Sequence, residues 1–188
     1  AGNCAFGYGA LDYNTTGDYN VAIGYNALTI ARGTEKNTAV GAASMEATTS
    51  GYLNAALGFE TLKANTTGHS HVACGHRALQ TNTTGVRNTA VGLESMEMST
   101  TGTDNCAFGN ESLDANTTGS YNIAVGHFAL HASATSAYCT AVGDSAVRVG
   151  DGADYLTAVG HEAVKNASGD QNTGLGSFAG DLTTTGTN

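Results

Sequence analysis

A 17-residue period is the feature that most constrains this chain. The triplet Ala-apolar-Gly recurs at Ala5-Phe6-Gly7, Ala22-Ile23-Gly24, Ala39-Val40-Gly41 and onward to Ala158-Val159-Gly160, always 17 residues apart. An eleventh copy, Gly174-Leu175-Gly176, comes one residue early, because the corner Asn166-Ala167-Ser168-Gly169 is one residue shorter than its equivalents. A unit this short cannot close a domain, but it can wrap one coil of a solenoid whose neighbours complete its core. The 188 residues hold eleven such units and read as a single domain, 1–188.

The local pattern selects β coils. The conserved-looking core of the unit, N-x-A-V-G, is five residues long, rich in β-branched residues and closed by Gly, whereas a helical repeat needs about 10–12 residues of 3.6-residue periodicity. Along Asn122-Ile123-Ala124-Val125-Gly126, alternate side chains face opposite ways. The apolar set, Ile123 and Val125 with Val21, Ile23, Val72 and Cys74, is expected to fill the coil interior. The small set, Asn20, Ala22 and Gly24 or Asn122, Ala124 and Gly126, is expected to face outward and to let neighbouring chains approach closely. Four residues after the Gly, the column Leu11, Leu28, Met45, Leu62, Leu79, Met96, Leu113, Leu130, Val147 and Val164 closes the interior from the other side. Asn65-Thr66-Thr67-Gly68 and its copies supply the corner, with Asn forming an Asx turn and Gly offering positive φ. Each coil buries about three apolar side chains at roughly 2 kcal/mol apiece. Ordering its backbone costs on the order of 1–2 kcal/mol per residue, so a lone thread is marginal and self-association is expected.

Composition excludes other classes. At 40% hydrophobic and 12% charged residues the chain is too apolar for disorder. It has no run of about 18 apolar residues to span a membrane, and residues 1–20 carry neither the charged start nor the apolar stretch of a signal peptide. With net charge −9 and seven scattered basic residues it would repel a nucleic-acid backbone. No nucleophile elbow, zinc-protease helix or phosphate loop is present, so no enzyme is expected. A carboxylate pair in a groove between chains would be the exception.

The units Asn37-Thr38-Ala39-Val40-Gly41 and Asn122-Ile123-Ala124-Val125-Gly126 resemble the core repeat of YadA-like trimeric autotransporter adhesin heads, and the longer units with N-T-T-G corners are similar to phage tail-fibre repeats. The resemblance spans the chain and implies a left-handed parallel β-roll assembled as a parallel homotrimer. The implied role is an extracellular structural and adhesive fibre, on a virion tail or a bacterial surface, that attaches to a host cell or surface. The 17-residue unit tilts the resemblance toward the phage-fibre version. Eleven coils make a rod of about 53 Å. With no stalk, neck or capping sequence at either end, it is expected to be a length of a longer fibre joined to further components at both ends.

Candidate sites follow from the columns. Tyr19, Tyr121, Tyr138 and Tyr155 share one phase and offer either a glycan-facing surface or a packing stripe. Paired threonines at Thr66-Thr67, Thr83-Thr84, Thr100-Thr101 and Thr117-Thr118 offer an ice-binding alternative, although adjacent residues diverge. His69-Ser70-His71 would place two imidazoles on one strand face, and three chains would then present six nitrogens to a divalent metal. Because His71 stands in the Asn column, a hydrogen-bonding substitute for Asn is the simpler reading, and no other cofactor is expected. His76, His127 and His161 share an outward column with Tyr8, Tyr25 and Phe59. The column Asn3, Asn20, Asn37, Asn54, Asn88, Asn105, Asn122 and Asn172 reads as a ladder satisfying backbone groups, as such ladders do in stacked β structures. Cys4, Cys74 and Cys106 are expected as buried inert thiols, and the coil spacing separates every pair of cysteines beyond bridging distance. Cys139 and Leu156 replace the ladder Asn. Asp151 and Asp154 in Gly150-Asp151-Gly152-Ala153-Asp154 read as an irregular acidic loop rather than a calcium site.

Overall fold

The computed structural model describes residues 2–150, 152–167 and 169–180. It is an all-β parallel solenoid. Eleven three-residue strands, β1 (Cys4–Phe6), β2 (Val21–Ile23), β3 (Thr38–Val40), β4 (Ala55–Leu57), β5 (Val72–Cys74), β6 (Thr89–Val91), β7 (Cys106–Phe108), β8 (Ile123–Val125), β9 (Thr140–Val142), β10 (Thr157–Val159) and β11 (Thr173–Leu175), stack in chain order into one sheet. Register follows the repeat. Ala22 pairs with Ala39 17 residues on, and Ala158 with Gly174 16 residues on, which absorbs the short last corner.

Backbone dihedrals limit each strand to three residues. A non-glycine residue in the left-handed region precedes the ladder position, as at Tyr19 (φ 59°), Arg87 (54°) and Tyr121 (62°), and a Gly with φ of 137° at Gly24 ends the strand. Two more left-handed residues follow, Asn26 (52°) and Leu28 (50°), and the pattern repeats at Arg77 and Leu79 and at Glu94 and Met96. Left-handed non-glycine residues each cost roughly 1–2 kcal/mol. Their amides show what offsets the cost, since Asn26 N–H donates back to Tyr8 O at 2.8 Å while Leu28 N–H donates forward to Ser44 O at 2.9 Å. The two left-handed residues thus aim their amides at the coils on either side, and the amide between them, Ala27 N–H, closes the turn on Gly24 O.

The strand faces are the reverse of the sequence expectation. Ala22, Ala39, Ala90 and Ala124 are fully buried, as are Asn20 and Asn122, whereas Ile23, Leu57, Val72, Phe108, Ile123 and Val125 are exposed. The lumen explains this. Leu28, Met45, Leu62, Leu79, Met96, Leu113 and Leu130 reach into it fully buried, and they leave room opposite for a methyl group and no more. The small residues are thus the inner wall and not a contact surface between chains. For the same reason Cys4 is exposed and Cys74 and Cys106 are half-buried on the outer face, while Cys139 alone is buried; all four are free thiols.

Corner glycines also differ from expectation. Gly68 and Gly85 are not among the residues with positive φ. A Cβ on Gly68 would meet Gly85 O and its own Asn65 Oδ1, so these positions are glycine because backbone and side chain approach them closely. The strand-end glycines meet both demands. At Gly41, φ is 133° and a Cβ would run into the Gly58 carbonyl. Gly41→Ala is therefore expected to cost more than about 3 kcal/mol in urea unfolding. Lys36→Gly, at an exposed left-handed position (φ 57°), should be neutral or stabilising by up to about 1 kcal/mol.

Candidate functional site

The buried ladder sets the geometry on which every surface column depends. Asn37 N–H donates to Asn20 Oδ1 at 3.0 Å, and Asn37 Nδ2 donates to Gly51 O at 2.9 Å. Asn54, Asn105 and Asn122 repeat both bonds. Each Asn thus ties its own corner to its own strand and carries the next coil, the backbone-satisfying role expected of it. The ladder fixes both the radius and the rotational phase of the coil, which lines up the outer residues in straight columns.

The most extensive of the resulting surfaces is the outer face of the sheet. It is two side chains wide. One column holds Cys4, Val21, Thr38, Ala55, Val72, Thr89, Cys106, Ile123, Thr140, Thr157 and Thr173, and the other holds Phe6, Ile23, Val40, Leu57, Cys74, Val91, Phe108, Val125, Val142, Val159 and Leu175. Phe6 is 76% exposed, Phe108 57% and Leu57 54%. The second column is apolar throughout, whereas five positions of the first are Thr, and an exposed apolar row of this length is uncommon on a single soluble chain. Sequence reasoning missed it, although the signal was present as paired apolar residues at i and i+2. The pairing was read as a core.

The tyrosine column divides. Tyr121, Tyr138 and Tyr155 form one stacked row, with centroids 5.0 and 5.1 Å apart and planes within 8°. Tyr19 stands far down the column, with Lys36, Arg87 and Asp104 among the residues between. Arg87 and Asp104 pair there through two bonds of 2.6 and 2.7 Å. Within the row the rings cover each other's faces, so the middle ring offers a ligand its edge and hydroxyl, and stacking between coils accounts for the row. The threonine corners are occupied in a similar way. Thr66, Thr83 and Thr100 hydroxyls donate to the carbonyls of Thr83, Thr100 and Thr117, which leaves Thr67, Thr84, Thr101 and Thr118 as the outward members of each pair.

His69 and His71 do not share a face, because Ser70 between them is left-handed (φ 60°). His69 stacks on Tyr52 at 4.5 Å. His71 is buried in the ladder, where its Nε2–H donates to Gly85 O at 2.8 Å and its Nδ1 accepts from Asn88 N–H at 3.2 Å. Both ring nitrogens are thus committed to backbone, as the substitution for Asn requires. Cys139 fills the ladder less well, its one thiol proton donating weakly to the carbonyl of Ala153 or of Ala137, each at 3.4 Å. Burial pushes its thiol up to about 11. Asp151 lies outside the described residues, and Asp154 joins an outer ladder by accepting from Ala137 N–H at 2.8 Å. His127 and His161 flank Asp144 at 3.2 and 3.7 Å on the exposed column expected for them.

A charged face carries Glu94, Glu97, Glu111 and Asp114, with Arg77 at one end and His131 at the other. Arg77 lies 3.7 Å from both Glu94 and Glu97, and His131 lies 3.5 Å from Glu111 and 3.8 Å from Asp114. Burial, then Glu97 and Glu111, push the Asp114 carboxyl up to about 6, and its Oδ1 is buried without a hydrogen-bond partner. Elsewhere Ala47 and Ala64 leave a groove of about 590 Å³ beside Tyr13, Ile30 and Lys63, whose ammonium is held by Glu60 at 2.6 Å. Comparison with known proteins gives no match: no family model fits the chain, and no curated protein or solved structure is significantly similar to it.

The raised Asp114 carboxyl makes a signed prediction. A folded-state value above the ordinary one means that the native chain holds the proton more tightly. That contribution is complete below the ordinary carboxylate range and is lost as pH rises toward 6. Asp114→Asn should therefore raise stability at pH 7.5, by up to about 3 kcal/mol, and leave it nearly unchanged at pH 4. Thermal melts at the two pH values measure this.

Proposed function

We propose that this chain is a length of structural fibre that associates with copies of itself through the outer apolar strip, three around a common axis. We assign it to the shaft or head of an extracellular attachment filament, on a virion tail or a cell surface, with further fibre components at its ends. The observation that carries the reading is the strip itself. An apolar column beside a mixed column of apolar residues and Thr runs straight along eleven strands, with Phe6, Leu57, Phe108, Ile123 and Val125 exposed in the single chain. Burying such surface is worth about 25 cal/mol per Å², and a contact repeated at every coil accumulates along the whole rod. The three-fold number and the filament role come from the resemblance of the N-x-A-V-G unit.

The chemistry of the remaining surface fits the same role. Many of its polar pairs, aromatic stacks and threonine bonds join successive coils, as in Gln80 with Glu60 (2.6 Å) and Arg87 with Asp104 (2.6 Å). Their work is axial stiffness. Attachment then falls to whatever the fibre presents at its tip or along these rows, and catalysis has no part in the reading.

Sedimentation at micromolar concentration tests it. Wild type should sediment at three times the chain mass, and Ile123→Lys combined with Val125→Lys should sediment as one chain with an unchanged circular dichroism spectrum, because both side chains point outward. A wild type that stays at the single-chain mass, or a double variant that keeps the larger one, would overturn the proposal.

A further inference from the structure

The ladder contains one side chain that titrates in the mildly acidic range. Above and below His71 the positions are Asn20, Asn37 and Asn54, then Asn88, Asn105 and Asn122, all non-titrating amides. Asn and neutral His do the same work here, one atom accepting from the next coil's N–H and another donating to a corner carbonyl. They differ in what acid does to them. An imidazolium has two N–H groups and no acceptor, so protonated Nδ1 would face Asn88 N–H, donor against donor, 3.2 Å apart in a buried site.

We propose that His71 makes the junction between the fifth and sixth coils an acid-sensitive break point, closed when the ring is neutral and opened when a proton reaches Nδ1. Gly85 O still takes Nε2–H in the cation, but no acceptor meets a proton on Nδ1. The groups that face the ring are Asn88 from the coil after and Asn82 and Gly85 from its own corner, while Asn54 from the coil before accepts from the His71 backbone N–H. The one titratable group acting on it is His69, itself a potential cation. Burial accordingly pulls the ring down to about 4.

The sign follows from linkage. With the folded-state value below the ordinary histidine value, the ladder contribution is complete above about 6.5 and is lost as pH falls toward 4. A break point within a solenoid does not require global unfolding, because each coil contacts only its neighbours. Opening at this junction would divide the rod into two laddered halves.

Hydrogen exchange resolved along the chain, at pH 7 and pH 4.5 and corrected for intrinsic rates, tests this. In wild type, protection of residues 72–92 should fall on the order of 50-fold at pH 4.5, with the coils further away much less affected. His71→Asn restores the repeat and should abolish the local loss, while Asn37→His should create a second one around residues 38–58. Equal loss in wild type and His71→Asn, or a loss spread evenly along the chain, would overturn the proposal.

Discussion

The lumen of each coil is one leucine across, and the rest of the structure follows from that width. Leu28, Met45 and Leu62 fill it from one wall, so the facing strand can contribute only Ala22, Ala39 and Ala56. Larger residues on the strand must then point outward. The backbone must also turn through a full circuit in 17 residues, which three left-handed residues per coil achieve at a cost that no isolated coil could bear. The ladder of Asn amides and the forward and backward amide bonds of residues such as Asn26 and Leu28 make the stack, not the single coil, the stable unit.

Much of this was legible in the sequence. The period gave the strands, their order and their register, the Leu/Met column was rightly placed inside, the Asn column was rightly read as a backbone ladder, and the coil spacing rightly kept the cysteines apart. The faces of the strand were not legible, because the rule that apolar residues point inward assumes a core wide enough for both walls. Here one wall supplies the bulk, and Val21, Ile23, Cys74 and Phe108 are left outside. The left-handed dihedrals of Leu79, Val147 and Val164 are invisible for a different reason. Propensity disfavours them, and only the hydrogen bonds to neighbouring coils select them. Tyr19 was grouped with Tyr121, Tyr138 and Tyr155 because phase alone does not reveal which rows are unbroken.

The same construction separates strength from weakness along the rod. Interruptions of the Asn ladder do not disrupt the fold: His71 and Cys139 keep side-chain bonds to neighbouring groups, and Leu156 fills its ladder position as a buried apolar side chain. They differ in response to conditions. A buried thiol pushed up to about 11 stays neutral through the physiological range, whereas a histidine offering Nδ1 as an acceptor depends on its proton balance. On the outside, the charged face and the tyrosine row tie coil to coil, while the apolar strip is left uncovered among the described residues. Inner wall, outer ladders and strip therefore have separate parts: closing the coil, stiffening the stack and, in the proposed assembly, joining copies.

The assignment of strand faces, with self-association through the outer one, is the central claim, and the four free cysteines report on it directly. Thiol labelling followed by mass spectrometry, on the dissociated and the assembled protein, reads both parts. In dissociated chains Cys4, Cys74 and Cys106 should react readily while Cys139 waits for unfolding, and on assembly the first three should become protected. Rapid labelling of Cys139 with Cys74 and Cys106 shielded in the dissociated chain would contradict the face assignment, and unchanged reactivity of the outer three on assembly would contradict the strip as the contact.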